Sequence, residues 1–265
     1  METNKIYQGD CLELMKQIED KSVDLILCDL PYGTTACSWD TIIPFEPLWE
    51  QYKRIAKDNA AIVLTASQPF TSALVMSNPD MFRYSWCWVK NRTTNYLNAK
   101  KQPLRSFEDI LVFYNKQCVF NPIPFSNKEY SHRSNKKSNG TKNYNIHLVK
   151  TTTISKKPIS AKNVLFIATV HPDSSEYLEH PTQKPVALFE YLIKTYTNEG
   201  DLVLDNCIGS GTTAVACVNT KRNFIGFEIS EEYCKIANER LTKLNDGNDG
   251  IPPKPKDLGI LPTII

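Results

Sequence analysis

The feature that most constrains the fold of this chain lies near its end. Residues Leu202-Val203-Leu204-Asp205-Asn206-Cys207-Ile208-Gly209-Ser210-Gly211-Thr212-Thr213-Ala214 read as a buried strand, a glycine turn and the start of a helix. Glycines at 209 and 211 let backbone approach a ligand closely, and the helix beginning there aims free amide groups at it. A further strand, Asn223 to Phe227, leads into Glu228, 17 positions after Gly211. That is near the spacing of roughly 20 residues at which a carboxylate reaches ribose hydroxyls from the next strand. Gly209-x-Gly211-x-x-Ala214 also satisfies the dinucleotide fingerprint, so an NAD-dependent oxidoreductase is one reading. Such a fold, however, needs several strand-helix units after its glycine turn. Here one helix, one strand and a last helix, about Glu231 to Leu241, are all that follow. The rest of the sheet must come from residues before the turn, in circularly permuted order.

At the other end of the chain stands Asp29-Leu30-Pro31-Tyr32, directly after the apolar run Val23 to Cys28. The run reads as a strand of about six residues. Proline restricts the residue before it to extended backbone, so the chain leaves the sheet abruptly. A carboxylate, a fixed carbonyl and an aromatic face are then held at one strand tip, where ligands of open α/β sheets collect. An exocyclic amine bound there can donate one proton to Asp29 and the other to the Leu30 carbonyl, with Tyr32 covering the ring. The plain alternative for such a short segment is an ordinary strand-end turn.

The two segments in this order resemble the β group of amino-methyltransferases acting on DNA, which take the methyl group from S-adenosylmethionine. Asp29-Leu30-Pro31-Tyr32 looks like the family's Asp-Pro-Pro-Tyr motif, with Leu30 replacing the first proline. Asp205 to Thr213 is similar to its Asp-Pro-Phe-x-Gly-Ser-Gly-Thr-Thr motif, departing at Asn206 and Cys207. His180-Pro181-Thr182-Gln183-Lys184-Pro185, Gly9-Asp10-Cys11, Trp88-Val89-Lys90-Asn91 and Glu108 to Phe113 resemble further family segments, and the likeness runs from about Lys5 to Leu241. It implies that Asp29, Leu30, Pro31 and Tyr32 are catalytic. It also implies that Asp205, Cys207 and Ser210 line the methionine end of the cofactor, and that Gly209, Gly211 and Thr212 of the same turn bind the cofactor as well. Glu228 would take the ribose hydroxyls, Asp10 and Cys11 the adenine, and His180, Thr182 and Lys184 would close over the methionine side. Family habit links Asp at the first motif position to adenine and Ser to cytosine, so Asp29 favours adenine over the exocyclic amine of cytosine. The target amine is paired inside the duplex, so the base must be flipped out. Methylation at carbon-5 of cytosine needs a Cys that in its own family follows proline, and this chain has no Pro-Cys dipeptide. RNA or protein amides and a silent DNA-binding module are the remaining alternatives. The intact Asp29, Tyr32 and glycine turn speak against the last.

Strands expected near residues 5–8, 23–28, 60–65, 82–89, 109–114, 202–205 and 223–227 alternate with helices. They describe a doubly wound, mostly parallel, seven-stranded Rossmann-like sheet. No crossover helix separates the fourth and fifth strands, so one of them is expected antiparallel at an edge. Residues 1–245 read as one methyltransferase domain, interrupted by a target-recognition insert at 116–162. The proline- and glycine-rich tail 246–265 reads as an extended or disordered appendage. The insert carries ten Lys or Arg and one acid, Glu129. Lys136, Lys137 and Lys142 are candidates for phosphate contacts, and Asn135, Tyr144 and His147 for base edges. A solvated loop is the alternative, but a long insertion in a compact domain is more often functional. Double-stranded DNA is therefore the expected partner, with a homodimer and a cognate restriction endonuclease of a restriction-modification pair as further ones.

Net charge of +2 excludes nothing by itself. Eight cysteines without a Cys-x-x-Cys pair read as reduced thiols, with neither a zinc site nor a disulfide framework. No apolar stretch nears ~20 residues and no signal-peptide pattern opens the chain, so no membrane and a cytoplasmic location are expected.

Overall fold

The computed structural model describes residues 1–35, 37, 40–123, 126–131, 156–159, 161–174, 176–178 and 182–245. Strand β1 (Lys5–Gln8) leads into helix α1 (Cys11–Met15), followed by β2 (Val23–Cys28), α2 (Phe45–Ile55), β3 (Ala56–Ala66) and α3 (Phe70–Ser77). Then come β4 (Phe82–Thr94), a 3-10 turn at Tyr96–Asn98, and β5 (Arg105–Phe113). Strands β6 (Ser126–Ser131) and β7 (Lys156–Ile159) precede β8 (Val164–Phe166) and α4 (Val186–Tyr196). The last described elements are β9 (Leu202–Asp205), α5 (Thr212–Asn219), β10 (Asn223–Glu228) and α6 (Glu231–Asn245).

Eight strands form one sheet in the order β1-β10-β9-β2-β3-β5-β4-β8. All neighbours pair in parallel except β5, which runs antiparallel to both β3 and β4. The doubly wound, mostly parallel expectation holds, with two differences. The sheet has eight strands, because three-residue β8 adds itself along Cys87 to Val89 and is too short to register as a periodic signal. The reversed strand is accordingly interior: β4 and β8 lie outside it. Because β9 and β10 come last in sequence yet sit between β1 and β2, the sheet has the permuted order that the late glycine turn demands.

Central strand β2 explains its own sequence. Leu25, Ile26, Leu27 and Cys28 are all fully buried, since helices cover both faces of a parallel sheet and alternation is lost. Helix α2 buries Leu48, Trp49, Tyr52 and Ile55, one stripe at helical spacing. Its Trp49 ring meets Phe113 at 5.0 Å and Tyr52 at 5.7 Å, and its indole N–H donates to Ser77 Oγ at 2.7 Å. Each such side chain contributes about 1.5–3 kcal/mol on full burial.

Residues Pro122–Lys162 form a second compact unit, in which β6 and β7 pair antiparallel. Residues 132–155 and 246–265 lie outside the described residues, and with them Asn135, Lys136, Lys137, Lys142, Tyr144 and His147. Among the described residues no helix is long and apolar enough to cross a membrane, and no cluster of His, Cys, Asp or Glu could hold a metal ion.

A candidate active site at the carboxyl ends of the strands

Seven strand ends converge on one side of the sheet: the carboxyl ends of β1, β10, β9, β2, β3 and β4, and the amino end of β5. A cavity of about 800 Å³ opens there, within the range of small-molecule sites. It is lined at one end by Gly9, Asp10, Cys11, Gly209, Glu228 and Ile229, and at the other by Asp29, Tyr32, Lys90, Glu108 and Lys184.

The first end is built by the glycine turn. Gly211 has φ +82°, a conformation side-chain-bearing residues rarely adopt, and a Cβ there would come within 3.1 Å of Ala237 Cβ on α6. Close packing of α5 against α6 thus requires glycine. From α6, Arg240 donates to the Ser210 carbonyl at 3.2 Å. Asp205 turns inward: it accepts from the Thr213 hydroxyl and, at 3.0 Å, from the Cys207 amide. Burial pushes its carboxyl up to about 7, against the pull of those bonds. Glu228 faces the cavity. One of its oxygens accepts from Gly209 N at 2.8 Å and the other from Ser230 N at 2.8 Å. The Ile229 amide also acts on this carboxylate, so of its roughly four lone-pair sites about one is left toward the cavity. Asp10 caps α1 through Leu12 N at 2.7 Å.

The second end is a net of alternating charge. Tyr32 donates to Asp29 Oδ1 at 2.8 Å, the Thr65 hydroxyl donates to the same oxygen, and Lys184 Nζ meets Oδ2 at 2.6 Å. Lys184 also lies 3.6 Å from Glu108, which Lys90 contacts on its other side. Burial opposes the Lys184 charge, but the carboxylates of Asp29 and Glu108 outweigh it and raise its pKa. The Tyr32 ring stacks on Phe70 at 5.1 Å, with an interplanar angle of 26°. Burial, then the Asp29 and Glu108 charges, hold its hydroxyl well above the usual phenol value. Among the described residues these donors take three of the roughly four lone-pair sites of Asp29, which leaves the fourth, on Oδ2, for a donor in the cavity.

Thiols in and under the cavity are not activated nucleophiles. Contact with Cys207 and burial push Cys11 up, and burial pushes Cys28 up to about 12.

A family profile described as DNA methylase matches residues 23–239. The chain belongs to the DNA methylase family. Among its relatives, the DNA adenine methyltransferase YhdJ of Escherichia coli (strain K12) is 31% identical over 258 residues, 91% of this chain and 83% of that one. The type II methyltransferase M.HpaI of Haemophilus parainfluenzae is 28% identical over 264 residues, 95% of this chain and 78% of that one. Among solved structures, the complex of M1.HpyAVI with SAM is 27% identical, with TM-score 0.59, covering 89% of this chain and 98% of the other. The cytosine-N4-specific PvuII DNA methyltransferase has TM-score 0.60 at 16% identity, over 88% of this chain and 84% of its own, a likeness of fold alone.

In this methylase Asp29, Leu30, Pro31 and Tyr32 all line the cavity, together with Asp10, Cys11, Thr182, Lys184, Cys207, Gly209 and Glu228. Asp205, Ser210, Gly211 and Thr212 do not line it; they build the turn behind it, each buried or packed on α6 or the chain before α4. Lys184, assigned from sequence to the cofactor's methionine side, also bonds Asp29. His180 lies outside the described residues. Sequence reasoning missed Thr65, Lys90 and Glu108 as parts of the net. A signal existed: Lys90 and Glu108 are opposite charges on two strands that pair with each other.

Proposed function

We propose that this DNA methylase transfers a methyl group from S-adenosylmethionine to the exocyclic N6 amine of adenine in duplex DNA, on a base flipped into the second end of the cavity. The observation that carries the reading is Asp29 itself: a carboxylate acceptor on the cavity wall, held by Tyr32, Thr65 and Lys184. Adenine is favoured over the cytosine amine by Asp at the first motif position and by likeness to an adenine methyltransferase over nine-tenths of the chain.

The residues at the first end fit S-adenosylmethionine. Glu228, held by backbone amides, presents its carboxylate at the cavity wall for the ribose hydroxyls, and Gly9 and Gly209 place no side chain there. Cys11 would lie against the adenine and Cys207 against the methionine end. When bound, the cofactor supplies an electrophilic methyl group on a sulfonium.

Everything else falls to the chain. An aromatic amine is a poor nucleophile because its lone pair delocalises into the ring. Accepting one N–H at Asp29 Oδ2 and the other at the Leu30 carbonyl favours a pyramidal nitrogen with a localised lone pair. Pro31 fixes that carbonyl, and Tyr32, braced by Phe70, covers the base. Lys184 pairs with Asp29 and holds it in place, and Asp29 is the acceptor for the proton that becomes acidic as the nitrogen is methylated. Asp29 need not be a strong base; most of the rate gain is positioning. The basic segment 116–162 carries the DNA affinity and site choice in this reading, with Lys136, Lys137 and Lys142 on phosphates and Asn135, Tyr144 and His147 on base edges.

Asp29→Ala tests the assignment. Methyl transfer followed with tritiated S-adenosylmethionine should vanish, while calorimetry shows cofactor affinity little changed. Turnover above a tenth of wild type would sink it.

A further inference from the structure

The ribbon joining β4 to β5 is not used by the chemistry above. Between Lys90 and Phe107 it carries five cations, Lys90, Arg92, Lys100, Lys101 and Arg105, and not one acid. Lys90 is spent on Glu108, but Arg92, Lys100, Lys101 and Arg105 are exposed. At its tip stand Tyr96 and Leu97, 73% and 87% exposed, the two most exposed large apolar side chains of the described residues.

The tip is a built turn. Asn95 adopts φ 68°, which asparagine tolerates. Asn98 N donates to Asn95 O at 3.0 Å, Ala99 N to Tyr96 O at 3.1 Å and Gln102 N to Asn98 O at 3.0 Å. Asn98 Nδ2 also donates to Asn95 Oδ1 at 2.7 Å. Its shape is held by its own hydrogen bonds, and the two apolar side chains stand largely exposed on it.

Position gives them a use. Arg92, Thr94, Arg105 and Phe107 of the same ribbon line the cavity that holds Asp29. Tyr96 follows Thr94 by two residues, at about 3.3 Å of reach per residue. The duplex that delivers a base into this cavity must lie against that wall, and the exposed cations suit its phosphates. Flipping leaves a hole in the base stack and costs a few kcal/mol of unstacking. Proteins that distort DNA commonly insert an apolar side chain between base steps.

We propose that Tyr96 and Leu97 are a wedge that enters the duplex beside the target base and holds the flipped state, with Arg92, Lys100, Lys101 and Arg105 seating the ribbon on the backbone. The proposal rests on the DNA methylase activity, and it concerns a contact separate from the Pro122–Lys162 unit.

The full-length double variant Tyr96→Ala/Leu97→Ala tests it on unmethylated genomic DNA at saturating concentration. Turnover should fall roughly tenfold or more, the loss of a wedge worth at least one unstacking step. Affinity for S-adenosylmethionine by calorimetry should stay within about twofold, since the tip is outside the cofactor end. The conservative pair Tyr96→Phe/Leu97→Met should restore turnover. Unchanged turnover, a loss matched in cofactor affinity, or failure of the conservative pair to restore it would each overturn the wedge. A drop from dimer to monomer in sedimentation on Ala substitution would overturn it too, by giving the tip to a second copy of the chain. Absence of methyl transfer to DNA by the wild type would be a different failure, striking the activity on which the wedge rests.

Discussion

Asp29 is useful because its neighbours leave it so little freedom. Tyr32 and Thr65 fix one oxygen and Lys184 the other, so the charge and the open lone-pair site both have a set direction. Tyr32 was legible in the sequence because it sits three residues from Asp29 on one turn. Lys184 was visible only as part of a family segment, and its partner was not, since 155 residues separate the two and their meeting is a product of sheet order. Removing one partner of a buried ion pair costs about 3–5 kcal/mol, because it leaves an uncompensated charge. Lys184→Met leaves Asp29 and Glu108 with Lys90 as their remaining near cation among the described residues. We expect chemical denaturation to show a loss of that order, and tritium transfer to show turnover down by more than about tenfold, as 1.4 kcal/mol of lost positioning already suffices. A variant with wild-type stability and rate would mean that the Lys184 bond is idle.

At the scale of elements, strands were read well where burial makes a continuous apolar run, as in β2 and β9, and poorly where neighbours set the length. Helix α1 stops at Met15, and Arg54 of α2, far off in sequence, donates to the carbonyl of Met15 at 2.7 Å and, just beyond the helix, to that of Ile18 at 2.8 Å. Strands β4 and β5 extend beyond the expected 82–89 and 109–114 because they pair with each other outside the body of the sheet, where the sequence turns polar. The glycine turn was legible as a ligand site, yet only part of it faces the cavity. Asp205 and Ser210 are buried supports, a distinction that depends on which way each side chain turns. Glu228, at the end of β10, does face the cavity. Charge-assisted hydrogen bonds are worth roughly 1.5–3 kcal/mol each, so Glu228→Ala should weaken S-adenosylmethionine at least about tenfold by calorimetry, and NAD should not bind in its place. Unchanged affinity would remove Glu228 from the ribose.

For the whole molecule, the division of labour follows the chain: the sheet supplies the chemistry, and the Pro122–Lys162 unit is the proposed reader of DNA. Charge along the insert is plain in the sequence, whereas which side chains touch phosphate is a matter of docking, which no periodicity encodes. Each lost phosphate contact should flatten the slope of log affinity against log salt by about 0.9. Replacing Lys136, Lys137 and Lys142 together by Ala should therefore lower that slope and weaken binding to every duplex, with cofactor affinity unmoved; an unchanged slope would make the segment a solvated loop.

The central claim, that this cavity methylates the amine of adenine, is tested most directly by mass spectrometry of the product. Unmethylated genomic DNA incubated with the protein and S-adenosylmethionine, then digested to nucleosides, should contain N6-methyladenine. N4-methylcytosine as the sole modified base, or no modified base, would contradict it.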